Sequence, residues 1–415
     1  MKLPEYIFPK YYSITLIKNN NKKLPELGLY ENFERYDFFN VIESKINDFE
    51  IERSKKYKER LERLTPDQEK EYGIRIFDFT SNKNFDRKLQ TRINEKGNFS
   101  NAWRKMYELC KREKLIPHTE TVKHFDICSM PGAFILAINH FIKTERRGTK
   151  YNWYGQSFIT SGKKKYFGDK FGLYKRNNNR ILIGVGGDIT NPDNIEYYRY
   201  FFRNKKRNLI TSDCGLGGTE TENYTRENQM IKIFLGQFIC GICVLERGGN
   251  FLMKFYDFFS TFYLSFVHLM SYFFKEVKLI KPESSRQPRG HEIYLGCFSF
   301  RDNLTEEYKN QMISIMKNIN IKKDIRYSMI GSFDEKENLS LQKGLSYYYS
   351  DMLERDKKER KYTEELINSD IYEDTETYIE IKKELTEIFR PNVINYLRDY
   401  TRKMDYKIIS NKDKI

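Results

Sequence analysis

Residues His124–Ile142 read HFDICSMPGAFILAINHFI. HFDICSM has the length and apolar character of a buried strand. PGA breaks it, and FILAINHFI continues as an apolar helix. A strand, a glycine-bearing turn and a helix in direct succession make the first half of a βαβ unit.

The alternation carries on toward the C-terminus. YNWYGQSFI (151–159) reads as a second strand, and ILIGVGGDIT (181–190) as a short third strand ending in a polar turn. PDNIEYYRYFF (192–202) reads as a helix with Pro192 in its first turn. NLITSD (208–213) is a strand, 225–245 a helix, NFLMKFYD (250–257) a strand and STFYLSFVHLMSYFF (260–274) a helix. EVKLIKP (276–282) and EIYLGCFSF (292–300) complete seven strands. This order predicts an α/β domain with a mainly parallel sheet and helices on both faces. SSRQPRGH is too short for a parallel crossover, so the last strand is expected to be antiparallel.

Texture sets the boundaries. Residues 1–95 carry helix-like charge runs such as IERSKKYKERLERL and are expected to form a mainly helical extension. Residues 96–302 hold nearly all the glycines and strand-like runs. Residues 303–415, with DMLERDKKERKYTEELI, are expected to be a helical C-terminal region.

The 415 residues include 73 Lys and Arg against 58 Asp and Glu, a net charge of +15. That balance favours a polyanionic partner such as nucleic acid, although a lysine-rich coding bias gives the same number. No apolar run is long enough to span a bilayer, and the N-terminus lacks a signal-peptide core. Most of the six cysteines sit in apolar surroundings, as reduced core thiols do. CGIC (240–243) lies mid-helix, which argues against redox chemistry. The five histidines show no metal-ligand spacing, so no metal is expected.

In a doubly wound sheet, ligands bind beyond the carboxyl ends of the strands. Cys128, Ser129, Met130, Pro131, Gly132, Ala133 and Phe134 lie at the first such end, Asp188 at the third and Asp213 at the close of NLITSD. Gly132 lets backbone approach a ligand, and it equally suits an ordinary turn. Asp188 either caps the following helix or accepts a bond from a ligand amine. In GGNFLMKFYD (248–257), one lysine, Lys254, interrupts an apolar strand. Burial costs a lysine several kcal/mol unless it is paired or loses its proton, and a lysine with a lowered pKa is a usable base. Asp213 would hold its amine. Lys105, on an otherwise apolar helix face, could lower its pKa or could simply snorkel to the surface. The positive loop Ser284, Ser285, Arg286 could grip phosphates or be a solvated turn.

These motifs, in this order, resemble the FtsJ/RrmJ-like ribose 2′-O-methyltransferases, and most of all the branch with the mRNA cap methyltransferases. FDICSMPGAF is similar to the family's strand and PGGF turn, GDITNPDNI to its GDIT segment and NLITSDCG to its strand ending in aspartate. GGNFLMKF resembles its GG-x-F-x-x-K segment, and KPESSRQPRGHEIY its KP-x-SSR…E-x-Y element. NAWRKMYEL is similar to the helix bearing the family's first lysine. The wider pattern is particularly similar to FtsJ-like proteins of large cytoplasmic DNA viruses.

The resemblance spans 96–302 and implies a Rossmann-like methyltransferase fold, S-adenosyl-L-methionine as cofactor and RNA, in particular capped mRNA, as partner. It implies catalytic roles for Lys105, Asp213, Lys254 and Glu292, with Lys254 as general base. Cys128 to Phe134, Asp188 and Asp213 would bind the cofactor, and Ser284, Ser285 and Arg286 the RNA. A cytoplasmic location, association with capping or transcription machinery, and no membrane are further expectations. Two departures stand out. Ala133 replaces the second glycine of PGG, and no acidic residue follows YNWYGQSF to hold the cofactor ribose. The competing readings are a non-catalytic RNA-binding module on the same fold and methylation of ribosomal or transfer RNA.

Overall fold

The computed structural model describes residues 8–18, 23–31, 83–159, 168–215, 223–256, 260–285, 292–320, 327–368, 383, 387 and 390–415. Among them the strands are β1 (Tyr12–Lys18), β2 (Leu27–Tyr30), β3 (Thr121–Ile127), β4 (Lys150–Gly155), β5 (Arg207–Ser212), β6 (Leu245–Phe255), β7 (Phe274–Lys281), β8 (Ile293–Phe300) and β9 (Ser328–Ile330). The helices are α1 (Lys83–Arg92), α2 (Asn101–Arg112), α3 (Ala133–Glu145), α4 (Leu173–Arg176), α5 (Pro192–Phe202), α6 (Asn223–Val244), α7 (Thr261–Phe273), α8 (Glu306–Asn318), α9 (Glu335–Asn368) and α10 (Arg390–Met404).

The central sheet has seven strands in the order β1-β7-β8-β6-β5-β3-β4. β3 pairs in parallel with β4 and β5, and β5 with β6. β8 runs antiparallel between β6 and β7, as the short connection requires. This is the mostly parallel, Rossmann-like sheet with a reversed last strand that the alternation predicts.

Its seventh strand is not the expected one. ILIGVGGDIT forms no strand: Ile181 makes a single bridge to Gly155. Gly184, Gly186 and Gly187 have φ of 58°, 65° and 71°, which turns the chain away from extended geometry. β1 fills the opposite edge instead, antiparallel to β7. The described part of 1–95 is therefore two strands and a helix, not mainly helix, while IERSKKYKERLERL lies outside the described residues. β1 buries Tyr12 and, across a register irregularity between Thr15 and Ile17, the adjacent Leu16 and Ile17, and these need a cover. α9 supplies one: a Cβ on its Gly344 would lie 3.0 Å from both Ile14 and Leu16, so glycine lets the helix pack close. β2 pairs with β9, which ties the N- and C-terminal regions together.

Strand periodicity divides the core in two. Phe251, Met253 and Phe255 join one cluster with α6 and α7, whereas Leu252 faces a second cluster with α2, α3 and α10. Lys254 shares the parity of Leu252, and Tyr294 lies directly opposite it on β8. Both therefore belong to the face that α2 covers.

Candidate active site

β3, β5 and β6 end at one edge of the sheet, and antiparallel β8 begins there. Ser212 pairs with Met253 and Lys254 with Tyr294, so Asp213, Lys254 and Glu292 meet at that edge. α2 brings the fourth residue. Its N-cap is Ser100, whose Oγ accepts from Trp103 N at 3.2 Å, and Trp103, Met106 and Tyr107 anchor its inner face. Lys105 on this helix is buried, not snorkelling.

The four residues form two ion pairs. Lys105 Nζ lies 2.5 Å from Glu292 Oε1, and Lys254 Nζ lies 3.1 Å from Asp213 Oδ1. Lys254 also donates to the Asp213 carbonyl at 2.9 Å. Tyr294 joins the pairs: its hydroxyl is 3.4 Å from Asp213 Oδ1 and 3.3 Å from Glu292 Oε1. The E-x-Y spacing was its signal in the sequence, because residues two apart on a strand share a face.

The charge state of Lys254 differs from the expected one. Burial lowers its pKa, but the charges of Asp213 and Glu292 outweigh this and raise it above the ordinary lysine value. Lys105 pairs with Glu292 and not with Asp213. Burial pushes Glu292 up, yet Lys105 and Lys254 bring it down to about 2. In the free protein this edge is thus a fixed array of charges, with the lysine protonated.

The first βα turn is held from beneath. Asp126 Oδ1 accepts from Thr211 Oγ1 and its Oδ2 from Ser129 Oγ, each at 2.5 Å. Burial raises the Asp126 pKa to about 7; the Ser129 and Thr211 bonds oppose this and the nearby Asp213 charge adds to it. Gly132 caps α3 with φ 96°, where a Cβ would sit 2.3 Å from Leu173 Cδ2. Ala133 is the first residue of α3 and has no positive φ, so it needs no glycine. Phe134 reaches toward Tyr294, with ring centroids 6.3 Å apart.

Gln156 and Ser157, which sequence reasoning missed, join the turn to the Asp188 loop. Gln156 Oε1 accepts from Cys128 N at 3.0 Å, its Nε2 donates to Gly187 O, and Ser157 Oγ accepts from Met130 N at 2.7 Å. Their signal was a polar pair at the end of YNWYG. Asp188 does not cap α5; Asn191 does, accepting from Asp193 N at 2.9 Å. Asp188 Oδ1 accepts from Thr190 N and Oγ1 at 2.9 and 2.8 Å, which fixes its carboxylate at the loop tip.

Two expectations change. Cys128 and Cys214 are bonded to each other, because β3 and β5 are neighbours and bring their Cα atoms within 5.1 Å; Cys110, Cys240, Cys243 and Cys297 are free and buried. Ser284 and Ser285 are not exposed to a partner. Both are buried, and Ser284 Oγ donates to Glu108 at 2.7 Å. Arg286 lies outside the described residues.

Sheet order, reversed last strand and a charged constellation at the strand ends define a Rossmann-like methyltransferase fold. Residues 99–300 match the model of the FtsJ-like methyltransferase family. The chain is 32% identical over 209 residues to "Probable methyltransferase EP424R" of African swine fever virus, covering 47% of this chain and 48% of that protein. It is 25% identical over 230 residues to cap-specific mRNA (nucleoside-2'-O-)-methyltransferase 2 of Drosophila melanogaster, covering 51% and 32%. Human methyltransferase-like protein 13 in complex with SAH aligns with a TM-score of 0.29 and 11% identity over 58% of this chain and 98% of its own. The chain spans about half the length of the EP424R proteins it matches.

Proposed function

We propose that this protein transfers a methyl group from S-adenosylmethionine to a ribose 2′-hydroxyl of RNA, at a nucleotide near the mRNA cap. The observation that carries this reading is the convergence of Lys105, Asp213, Lys254 and Glu292, linked by Tyr294, at the carboxyl edge of the sheet. The family match and the cap-specific name of the Drosophila relative support it.

The cofactor supplies a methyl group already activated by a sulfonium, so the protein's work is alignment and proton removal. The residues present fit it. The turn 128–134 offers the N-terminus of α3, where backbone N–H groups favour a carboxylate. Gly215 keeps room beside the base: a Cβ there would lie 3.1 Å from Lys254 Nζ and 3.2 Å from the Tyr256 hydroxyl. Asp188 would accept from the adenine amine. Lys254 would take the 2′-hydroxyl proton in its neutral form, and Asp213 would hold it through side chain and carbonyl alike. Glu292 would fix Lys105, whose ammonium would sit beside the nucleophile.

Comparing capped and uncapped short transcripts as acceptors tests the substrate. Equal transfer to both would remove the cap from the reading. Lys254→Ala should abolish transfer while S-adenosylhomocysteine still binds; unchanged transfer would remove Lys254 as base.

A further inference from the structure

β4 is the edge strand of the sheet, and its Tyr154 packs against the end of α5. Three cations gather round this ring. Arg180 Cζ lies 5.6 Å from its centroid, Lys205 Nζ 5.6 Å and Arg207 Cζ 5.7 Å. On the turn between α5 and β5, Arg203 Cζ lies 3.7 Å from the centroid of Tyr200, and Lys205 Nζ lies 3.7 Å from that of Phe201. Neighbouring cations have carboxylate partners: Arg199 pairs with Glu196 and Glu306, and Lys206 with Asp302. Among the described residues, no carboxylate pairs with Arg180, Arg203, Lys205 or Arg207. Like charges gathered in this way repel one another unless an anion lies among them.

Arg207 adds a second observation. Its side chain is buried, and Nε and Nη2 both donate to the Lys205 carbonyl, while Nη1 is buried with no hydrogen-bond partner. Burial lowers its pKa to about 10, and the Arg180 charge adds to this, against Tyr154 and Glu246. A buried guanidinium without a carboxylate is costly, and an anion bound over the cluster offsets that cost.

The cluster is not the methyl-transfer site. Arg207 begins β5 and Asp213 follows its last residue, so about 20 Å of strand separates them at about 3.3 Å per residue. The residues round it favour a nucleic acid. Tyr197 and Tyr200 are exposed on α5, and Arg203 and Lys205 are exposed beside them. Cations interleaved with aromatic rings take the phosphates and the bases of a single strand together, whereas an acidic peptide uses the cations alone.

We propose that Arg180, Arg203 and Lys205, backed by Arg207, form a second RNA contact that grips phosphates of the strand away from the methylated nucleotide. The inference rests on the RNA reading of the proposed function. It adds to that reading a strand that passes from the catalytic edge to the outer side of β4.

The test combines Arg203→Ala with Lys205→Ala in the full chain. The probes are fluorescent oligouridylates on the order of 5 and 30 nucleotides, the second well beyond the usual site size of one single-strand groove. Anisotropy titrations over a salt series read the affinity. The long strand should bind the variant on the order of tenfold more weakly than the wild type. The slope of log affinity against log salt should shrink by about 1.4, at about 0.7 per lost phosphate contact. The short strand, S-adenosylhomocysteine and the melting temperature should all behave as in the wild type.

Unchanged affinity and slope for the long strand overturn the proposal. So does an equal loss for both strands, which would place these cations at the catalytic edge. Polyglutamate bound more tightly than the long strand by the wild type, and released in the variant, would make the partner an acidic protein and overturn the RNA assignment. If the wild type transfers no methyl group to RNA while the length-dependent loss is seen, the functional reading fails and the second contact stands.

Discussion

Lys254 holds Asp213 twice, with Nζ 3.1 Å from Oδ1 and 2.9 Å from the main-chain carbonyl oxygen. A lysine bound in this way has its ammonium fixed in direction as well as in charge. The pair couples the end of β5 to the end of β6, the two strands that carry it.

The rate should depend on pH with a definite sign. Burial lowers the Lys254 pKa, but Asp213 and Glu292 raise it further, so the net shift is upward. The charged amine therefore stabilises the fold below the ordinary lysine value, and that contribution is lost as pH rises through the folded value. Catalysis needs the neutral amine, so kcat/KM should climb about tenfold per pH unit through the neutral and mildly alkaline range. A flat profile measured with saturating cofactor would contradict Lys254 as base.

Glu292 should shape acid stability. Its pKa falls from 4.5 to about 2, because Lys105 and Lys254 outweigh the cost of burial. A depressed carboxylate stabilises the fold above its unfolded pKa, and this is lost as pH falls through the folded one. Thermal melts between pH 4.5 and 2 should show a shallower loss of stability in Glu292→Gln than in the wild type.

Tyr294→Phe should separate catalysis from stability. The change removes a hydroxyl within reach of both Asp213 and Glu292 and keeps the ring. Loss of a hydrogen bond to a charged group should lower kcat roughly tenfold. The melting temperature should move little, and a large drop would mean that the hydroxyl serves the fold.

Gly187→Ala should disturb the Asp188 loop. At φ 71° a Cβ would lie 1.9 Å from the backbone oxygen of Ser157, so the backbone must shift. A strained residue of this kind costs about 1–3 kcal/mol. Urea unfolding should report that loss, and calorimetric titration should report weaker binding of S-adenosylhomocysteine. Wild-type affinity would show that the loop does not serve the cofactor.

Much of this was legible in the sequence. The 3.6 and 2.0 periodicities, turns at Pro131-Gly132 and a connection too short for a crossover gave the strand–helix order and the reversal of β8. They also put Asp213, Lys254 and Glu292 at strand ends. ILIGVGGDIT misled because its apolar start looks extended while its glycines turn. Lys105 was ambiguous, since spacing along a helix does not say what faces the side chain.

What the sequence by itself determined is local: which segments are strand or helix, where turns fall, and which polar residues stand at strand ends. Tertiary structure alone decided that β1 completes the sheet, that Tyr294 links the two ion pairs, that Ser284 turns in to Glu108 and that Lys254 stays charged. Backbone preference acts between chain neighbours, and it leaves a regular trace in the sequence. Hydrogen bonds and charge act across space, and here Asp213 and Glu292, 41 and 38 residues away by number, raise the Lys254 pKa against burial.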